Sequence, residues 1–336
     1  MKNILALKLP LLIIALLSMI FNSGNSLLAY DLGPYYKGVP VLVTGGCGFI
    51  GSHLVEKLVE LGANVSILDD LSTGDEENIA AVANKVNLIR GSINNFELCL
   101  KAAQNKKIIF HLAAFVSVPG SIANPQKCHL INIAGTQNIL EAARIAGTDR
   151  FVFSSTCAIY GESPSKSHEN LPPAPTSPYG FSKLIGEIYC KEYAHVFDLA
   201  TVSMRYFNVY GARQNPQASY AGVVAKFMYN MERNLPITIF GDGTQTRDYV
   251  PVEKIVEANL MLGICEKQLI QNEIFNIATE KSSSIFDLID TLKKKYPHYN
   301  NKIIFMPARP GDVKHVAADC SKYHHLYNHI TSSMIQ

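Results

Sequence analysis

The residues best suited to chemistry are Tyr179 and Lys183, four apart in SPYGFSKLIGEIYCKEYAHVF. They fall at the head of an expected helix, where a separation of four puts both side chains on one face. A phenol titrates near ~10. A neighbouring ammonium favours the phenolate, which lets the tyrosine act as a general base near neutral pH. Tyr-x-x-x-Lys alone is common and is usually a surface pair, so its surroundings decide its meaning. DRFVFSSTCAIYG supplies a third member: an apolar run that ends in Ser154, Ser155 and Thr156, whose hydroxyls can bond a substrate hydroxyl or carbonyl.

A second constellation lies upstream. In VLVTGGCGFIG, Gly45, Gly48 and Gly51 follow a strand-like run and precede HLVEKLVELG, helical with Leu54, Leu58 and Leu61 on one face. Gly45 suits a sharp turn, Gly48 lets a diphosphate approach the backbone, and Gly51 lets helix pack on strand. Phe49 and Ile50 begin the helix, whose free N–H groups and positive dipole end favour phosphate. A dinucleotide fingerprint also needs an acid about 20 residues later, at the end of the next strand. Asp69 closes NVSILD there. A carboxylate accepts from a free ribose 2′-hydroxyl and repels a 2′-phosphate, and LSTG adds no cation, so NAD is favoured over NADP. A nicotinamide cation beside Tyr179 would favour its phenolate further.

These residues need a scaffold. Short Val/Ile/Phe-rich runs (VPVLVTG, NVSILDD, KKIIFHLAA, DRFVFSS, FDLATVSMRYFN) alternate with helical stretches such as HLINIAGTQNILEAARIAG. This alternation predicts an α/β fold, a doubly wound parallel sheet covered on both faces. Near residue 210 the rhythm changes: GARQNPQASYAG, GDGTQTRDYVPVE and MPARPGDVKH read as loops. The expected division is a hydrophobic leader over 1–37 (a cleaved export signal, an uncleaved anchor or an inert leader) and a Rossmann-type NAD-binding domain over 38–208. A smaller substrate-binding domain over 209–336 follows, with some segments returning to the first. The 336 residues are 48% hydrophobic with a formal net charge of +2, which gives no electrostatic case for nucleic acid. Seven scattered cysteines and ten histidines show no metal spacing, so packed thiols and no metal are expected.

TGGCGFIGSHL, HLAA, SSTCAIYG, SPYGFSK, RYFNVYG, GDGTQTRDYV and RPGDV occur in that order. From about Val39 to about Asp319 the chain thereby resembles the extended short-chain dehydrogenases/reductases of the NAD-dependent sugar epimerase/dehydratase family. The resemblance implies that Tyr179 takes the proton of a sugar 4-hydroxyl, Lys183 holds the nicotinamide ribose, and Thr156 bonds the reacting oxygen. It places Ala113 and Asn132 along the cofactor. Asn208, Arg247, Arg309 and Asp312 then hold the diphosphate and uridine ribose of a UDP-sugar. Family dehydratases and decarboxylases carry acids immediately after the Thr156 position, where this chain has Cys157 and Ala158. That favours a 4-epimerase. GARQNP followed by ASYAGVVAKF, and SVPGSIANP, are similar to the 4-epimerases of UDP-N-acetylhexosamines or their uronates. A dehydratase or decarboxylase, and a non-catalytic nucleotide-binding scaffold, stand as alternatives.

Two departures from the family pattern are expected to matter. Ser92 replaces the Asp that brackets adenine, and SKYHHLYNHITSSMIQ reads as a polar, solvated tail in place of a closing helix. The resemblance also implies a homodimer. NAD and UDP-sugars favour the cytoplasm, and the apolar segment at 4–21 behind Lys2 offers membrane association.

Overall fold

The apolar runs read above all become strands. A computed structural model describes residues 30–163, 165–218, 222–309 and 311–334. The strands are β1 Pro40–Thr44, β2 Asn64–Asp69, β3 Asn87–Arg90, β4 Ile108–His111, β5 Arg150–Thr156, β6 Thr201–Tyr206, β7 Asn208–Tyr210, β8 Ile237–Phe240, β9 Thr246–Pro251, β10 Glu273–Ile277, β11 Ser282–Ser284 and β12 Ile303–Met306. The longer helices are α1 Phe49–Glu60, α2 Phe96–Ala103, α3 Gly135–Ile145, α4 Pro178–Phe197, α5 Val223–Glu232, α6 Val252–Ile264, α7 Ile285–Lys295 and α8 Ser321–Met334.

Seven strands form one parallel sheet in the order β3-β2-β1-β4-β5-β6-β10. Successive strand residues point to opposite faces, and here both faces are apolar. Val41 and Val43 pack with Leu54 and Leu58 of α1 and with Leu260 of α6. Leu42, between them, joins Ala102 of α2, Ile139 of α3 and Cys190 of α4 in a second core. Continuous burial on two faces explains the unbroken hydrophobic runs. The strand order reverses between β1 and β4, which opens a crevice at their C-terminal ends.

Beyond β6 the chain forms two small sheets, β11-β9-β7 and β12-β8, around a third core with α5 and α7. GDGTQTRDYVPVE is therefore not all loop: its second half is β9, zipped between β7 and β11. β10 returns to the large sheet beside β6, a short strand that the sequence reading did not single out.

Two expectations about the ends need correction. Residues 32–36, assigned to the leader, belong to the fold. Leu32 and Tyr36 are fully buried, and the Tyr36 hydroxyl donates to the Leu260 carbonyl at 2.7 Å. The polar tail is the helix α8. Tyr323, Leu326 and Ile330, spaced three and four apart, are buried, while His324 and His325 face out. Tyr323 meets Phe275 of β10 edge-on at 6.3 Å. Lys322 donates to the Ile274 carbonyl at 2.8 Å, and the Asn276 N–H donates to Glu169 at 2.7 Å. The apolar segment at 4–21 lies outside the described residues. Among the described ones no helix is long and apolar enough to cross a membrane.

Candidate active site

The glycine turn sits at the crevice. Gly45 follows β1 with φ +71°, and a Cβ there would stand 2.7 Å from the Ala113 amide nitrogen beyond β4. A Cβ on Gly51 would come within 2.1 Å of the Gly45 carbonyl, so α1 closes on the turn only with glycine. Gly48 is the N-cap of α1 and makes no side-chain cap, which leaves the first amides of the helix to the crevice. Asp69, at the tip of β2, accepts from the Cys47 and Leu71 amides, each at 2.9 Å. Its pKa is raised by burial, an effect that these two amides oppose. Gly45, Gly48, Phe49, Ile50, Gly51, Asp69 and Ala113 all line one cavity of about 850 Å³.

α4 brings the second constellation to the same cavity. The Ser177 hydroxyl caps it by accepting from the Gly180 amide at 3.2 Å, Pro178 opens it, and Tyr179 and Lys183 follow on the inner face. The Tyr179 amide is anchored to the Ser121 hydroxyl at 3.1 Å. Lys183 is buried, donates to the Ser154 carbonyl at 2.7 Å, and lies 4.9 Å from the Phe153 ring centroid. Burial lowers its pKa to about 8. Burial pushes the Tyr179 phenol up to about 12, and a hydrogen bond with Thr156 opposes that rise. The expected pull of Lys183 on the phenol is not what sets its pKa: burial raises it, and the Lys183 ammonium is bonded to the Ser154 carbonyl.

The opposite end of the cavity is built from the later segments. Asn208, Arg247, Arg309 and Asp312 all line it. Arg247 is mostly buried, donates to the Thr246 and Lys314 carbonyls at 2.8 and 3.2 Å, and pairs with Asp312. The Arg309 guanidinium lies 3.7 Å from the Phe240 ring centroid. Oδ1 of Asn208, Oε1 of Gln214 and the Tyr249 hydroxyl are buried in or beside this wall without a hydrogen-bond partner among the described residues. Gln214 and Tyr249 were not singled out from sequence, although both sit in quoted motifs, GARQNP and TRDYV.

Residues 41–278 match the NAD dependent epimerase/dehydratase family. The chain belongs to that family. Among solved structures, the UDP-glucose 4-epimerase of Thermotoga maritima, with UDP-glucose, is 38% identical with a TM-score of 0.81, covering 85% of this chain and 92% of that one. The UDP-N-acetylglucosamine 4-epimerase of Methanobrevibacter ruminantium M1, in complex with UDP-N-acetylmuramic acid, is 34% identical with a TM-score of 0.81, covering 86% and 92%. The UDP-glucuronic acid 4-epimerase of Bacillus cereus, with UDP-glucuronic acid and NAD, is 32% identical with a TM-score of 0.80, covering 88% and 96%.

Within this epimerase/dehydratase scaffold, two residues expected near the cofactor stand off the cavity wall. Asn132, expected along the cofactor, lies behind the cavity wall, in a π-helical turn between Leu130 and Ala134. Its amide bonds both the N–H and the carbonyl of Phe115, at 2.7 and 3.0 Å, and the Ser182 hydroxyl at 2.9 Å. It braces the loop after β4 against α4. Ser92 does not reach the wall either, and its hydroxyl accepts from the Asn94 amide at 3.2 Å. Cys157 and Ala158 do line the cavity beside Thr156, so the position of the family's acids is filled by a thiol and a methyl group. Burial raises the Cys157 thiol to about 12, which leaves it protonated at neutral pH. All seven cysteines are free, and six are buried.

Proposed function

We propose that the protein is an NAD-dependent UDP-sugar 4-epimerase. One observation carries the reading: a single cavity joins the glycine turn, the Thr156–Tyr179–Lys183 cluster and the Arg247/Arg309 end, with Cys157 and Ala158 where eliminating relatives place acids. The Gly45 and Gly51 positions, which no Cβ could occupy, and the uncapped amides of α1 fit a dinucleotide diphosphate. Asp69 would hold the adenosine ribose and Lys183 the nicotinamide ribose. Bound NAD⁺ would supply a reversible hydride acceptor.

The chain's own residues handle the proton. Tyr179 receives the proton of the 4-hydroxyl as a carbonyl forms at C4, and returns it when the opposite face of the sugar is reduced. Thr156 donates to the same oxygen. Burial holds the phenol up at about 12, and the positive charge of the bound cofactor would favour its phenolate. Arg247 and Arg309 suit the diphosphate, since a planar guanidinium matches phosphate oxygens. Asn208, Gln214 and Tyr249 offer polar atoms to the uridine and sugar hydroxyls.

The substrate is a UDP-hexose, a UDP-N-acetylhexosamine or one of their uronates. Purified protein, without added NAD, is incubated with UDP-glucose, UDP-N-acetylglucosamine and UDP-glucuronic acid and followed by NMR. The 4-epimer of at least one should form with no net NADH. Turnover of none, or release of water or CO₂, would sink the reading.

Two further points belong to the same proposal. Phe181, Ile188 and Val196 are exposed along α4, which supports a second copy packing there. Sedimentation showing only monomer would refute the dimer. NAD and UDP-sugars favour the cytoplasm, with the 4–21 segment touching the membrane, and fractionation of the native protein that finds it exported would refute this.

A further inference from the structure

Two charged residues in the quoted motifs, Glu187 in SKLIGE and Arg205 in RYFN, have no part in the chemistry above. Both are almost completely buried, and they form a two-armed pair: Arg205 Nε donates to Glu187 Oε1 at 2.9 Å and Nη2 to Oε2 at 2.7 Å. Burying two charges usually costs more than their attraction returns, so such a pair is poor evidence of stability alone. Its location suggests another role. Glu187 lies one helical turn beyond Lys183 on α4, and its Oε1 also accepts from the Ser155 hydroxyl at 2.6 Å. Ser155 and Arg205 are register partners on β5 and β6, as are Thr156 and Tyr206.

We propose that the Glu187–Arg205 pair is a positioning element for the reaction: through Ser155 it clamps the end of β5 to α4, fixing Thr156 relative to Tyr179. The end of β5 is then held to α4 twice, by Lys183 on the Ser154 carbonyl and by Glu187 on the Ser155 hydroxyl. Thr156, next in the chain, bonds Tyr179 of α4. The pair also extends away from the cavity. Arg205 stacks on the Tyr160 ring at 4.7 Å, and the Tyr160 hydroxyl donates to Asn276 at 2.7 Å. Asn276 in turn donates to the Asp319 carbonyl at 2.9 Å, so the clamp leans on the segment that follows Arg309 and Asp312.

This inference rests on the epimerase reading, and the test separates the two. Ser155→Ala removes the link and little else. It should lower kcat about tenfold at unchanged KM, since a displacement on the order of 1 Å can cost up to about a hundredfold. In the NAD-bound protein, the ionisation of Tyr179, read as the absorbance difference from a Tyr179→Phe variant, should move to higher pH. The second variant, Glu187→Leu with Arg205→Met, replaces the pair by apolar groups of similar size, a change that other proteins tolerate. It should melt near the wild-type temperature and still turn over at least tenfold more slowly. Activity that returns with stability, or a Ser155→Ala variant with wild-type kcat and wild-type Tyr179 ionisation, would overturn the proposal. A wild-type protein inactive on every UDP-sugar would refute the epimerase reading, while the Tyr179 ionisation would still judge the clamp.

Discussion

The two ends of the cavity are built differently. The diphosphate part of the cofactor end is made of backbone: the Gly45–Gly51 turn and the head of α1, set at the tips of β1, β2 and β4 of one parallel sheet. The sugar end is made of side chains from β7, β9 and the segment around 309–312, with Arg247 already engaged by Asp312. Polar atoms of Asn208, Gln214 and Tyr249 lie there without partners among the described residues. The backbone site admits no Cβ at Gly45 or Gly51, whereas a side-chain site can change its ligand residue by residue. Conserving the cofactor and varying the sugar is the chemistry that such a division suits.

Experiments can test this contrast, and the largest effect is expected at the junction between the ends. Tyr179→Phe should lower kcat by ~10²–10⁴ with both ligands still bound, as loss of a general acid–base group does. Binding lost along with turnover would show that the two ends are not separable there. Gly45→Ala comes next. The strained φ and the 2.7 Å approach to Ala113 should lower NAD retention at least tenfold, measured as cofactor released on denaturation. Retention at the wild-type level would break the backbone account. Arg247→Lys should weaken UDP binding about tenfold by calorimetry and leave NAD alone, because the planar fork is lost. A matching loss of NAD would couple the ends. The smallest effect is Tyr249→Phe. Deleting an unpartnered buried hydroxyl should leave the melting temperature unchanged or slightly raised, and weaken substrate only a few-fold.

The pH dependence bears on the junction as well. Without cofactor, Tyr179 keeps its proton up to about pH 12, so the difference spectrum against Tyr179→Phe should show no tyrosinate near pH 9. NAD⁺ adds a positive charge, which favours the phenolate, and the ionisation should move down. An NAD-independent titration would show that the cofactor's charge does not reach the phenol.

Legibility followed the same division. Strands buried on both faces announced themselves as apolar runs, and the glycine turn was readable because its geometry excludes every other residue at Gly45 and Gly51. Tyr179, Lys183 and Thr156 were readable once the turn was in place. The remainder depended on contacts between distant segments. Asn132 reads as a cofactor-facing residue until the loop after β4 folds back onto it. Gln214 and Tyr249 stand in polar motifs where nothing local says which side chain turns inward. α8 escaped because histidines and asparagine fill its outer face, and its buried apolar residues, Tyr323, Leu326 and Ile330, are too few to stand out from a polar tail.

α8 also bears on how the molecule meets other chains. β10 is the last strand of the large sheet, and its outer N–H and carbonyl groups would invite a further strand from another protein. The Ile274 carbonyl is taken by Lys322 and the Asn276 N–H by Glu169, both through side chains. Two of the edge groups that a further strand would need are therefore already engaged. The helix first read as a tail shares, with Glu169, in covering the free edge of this sheet.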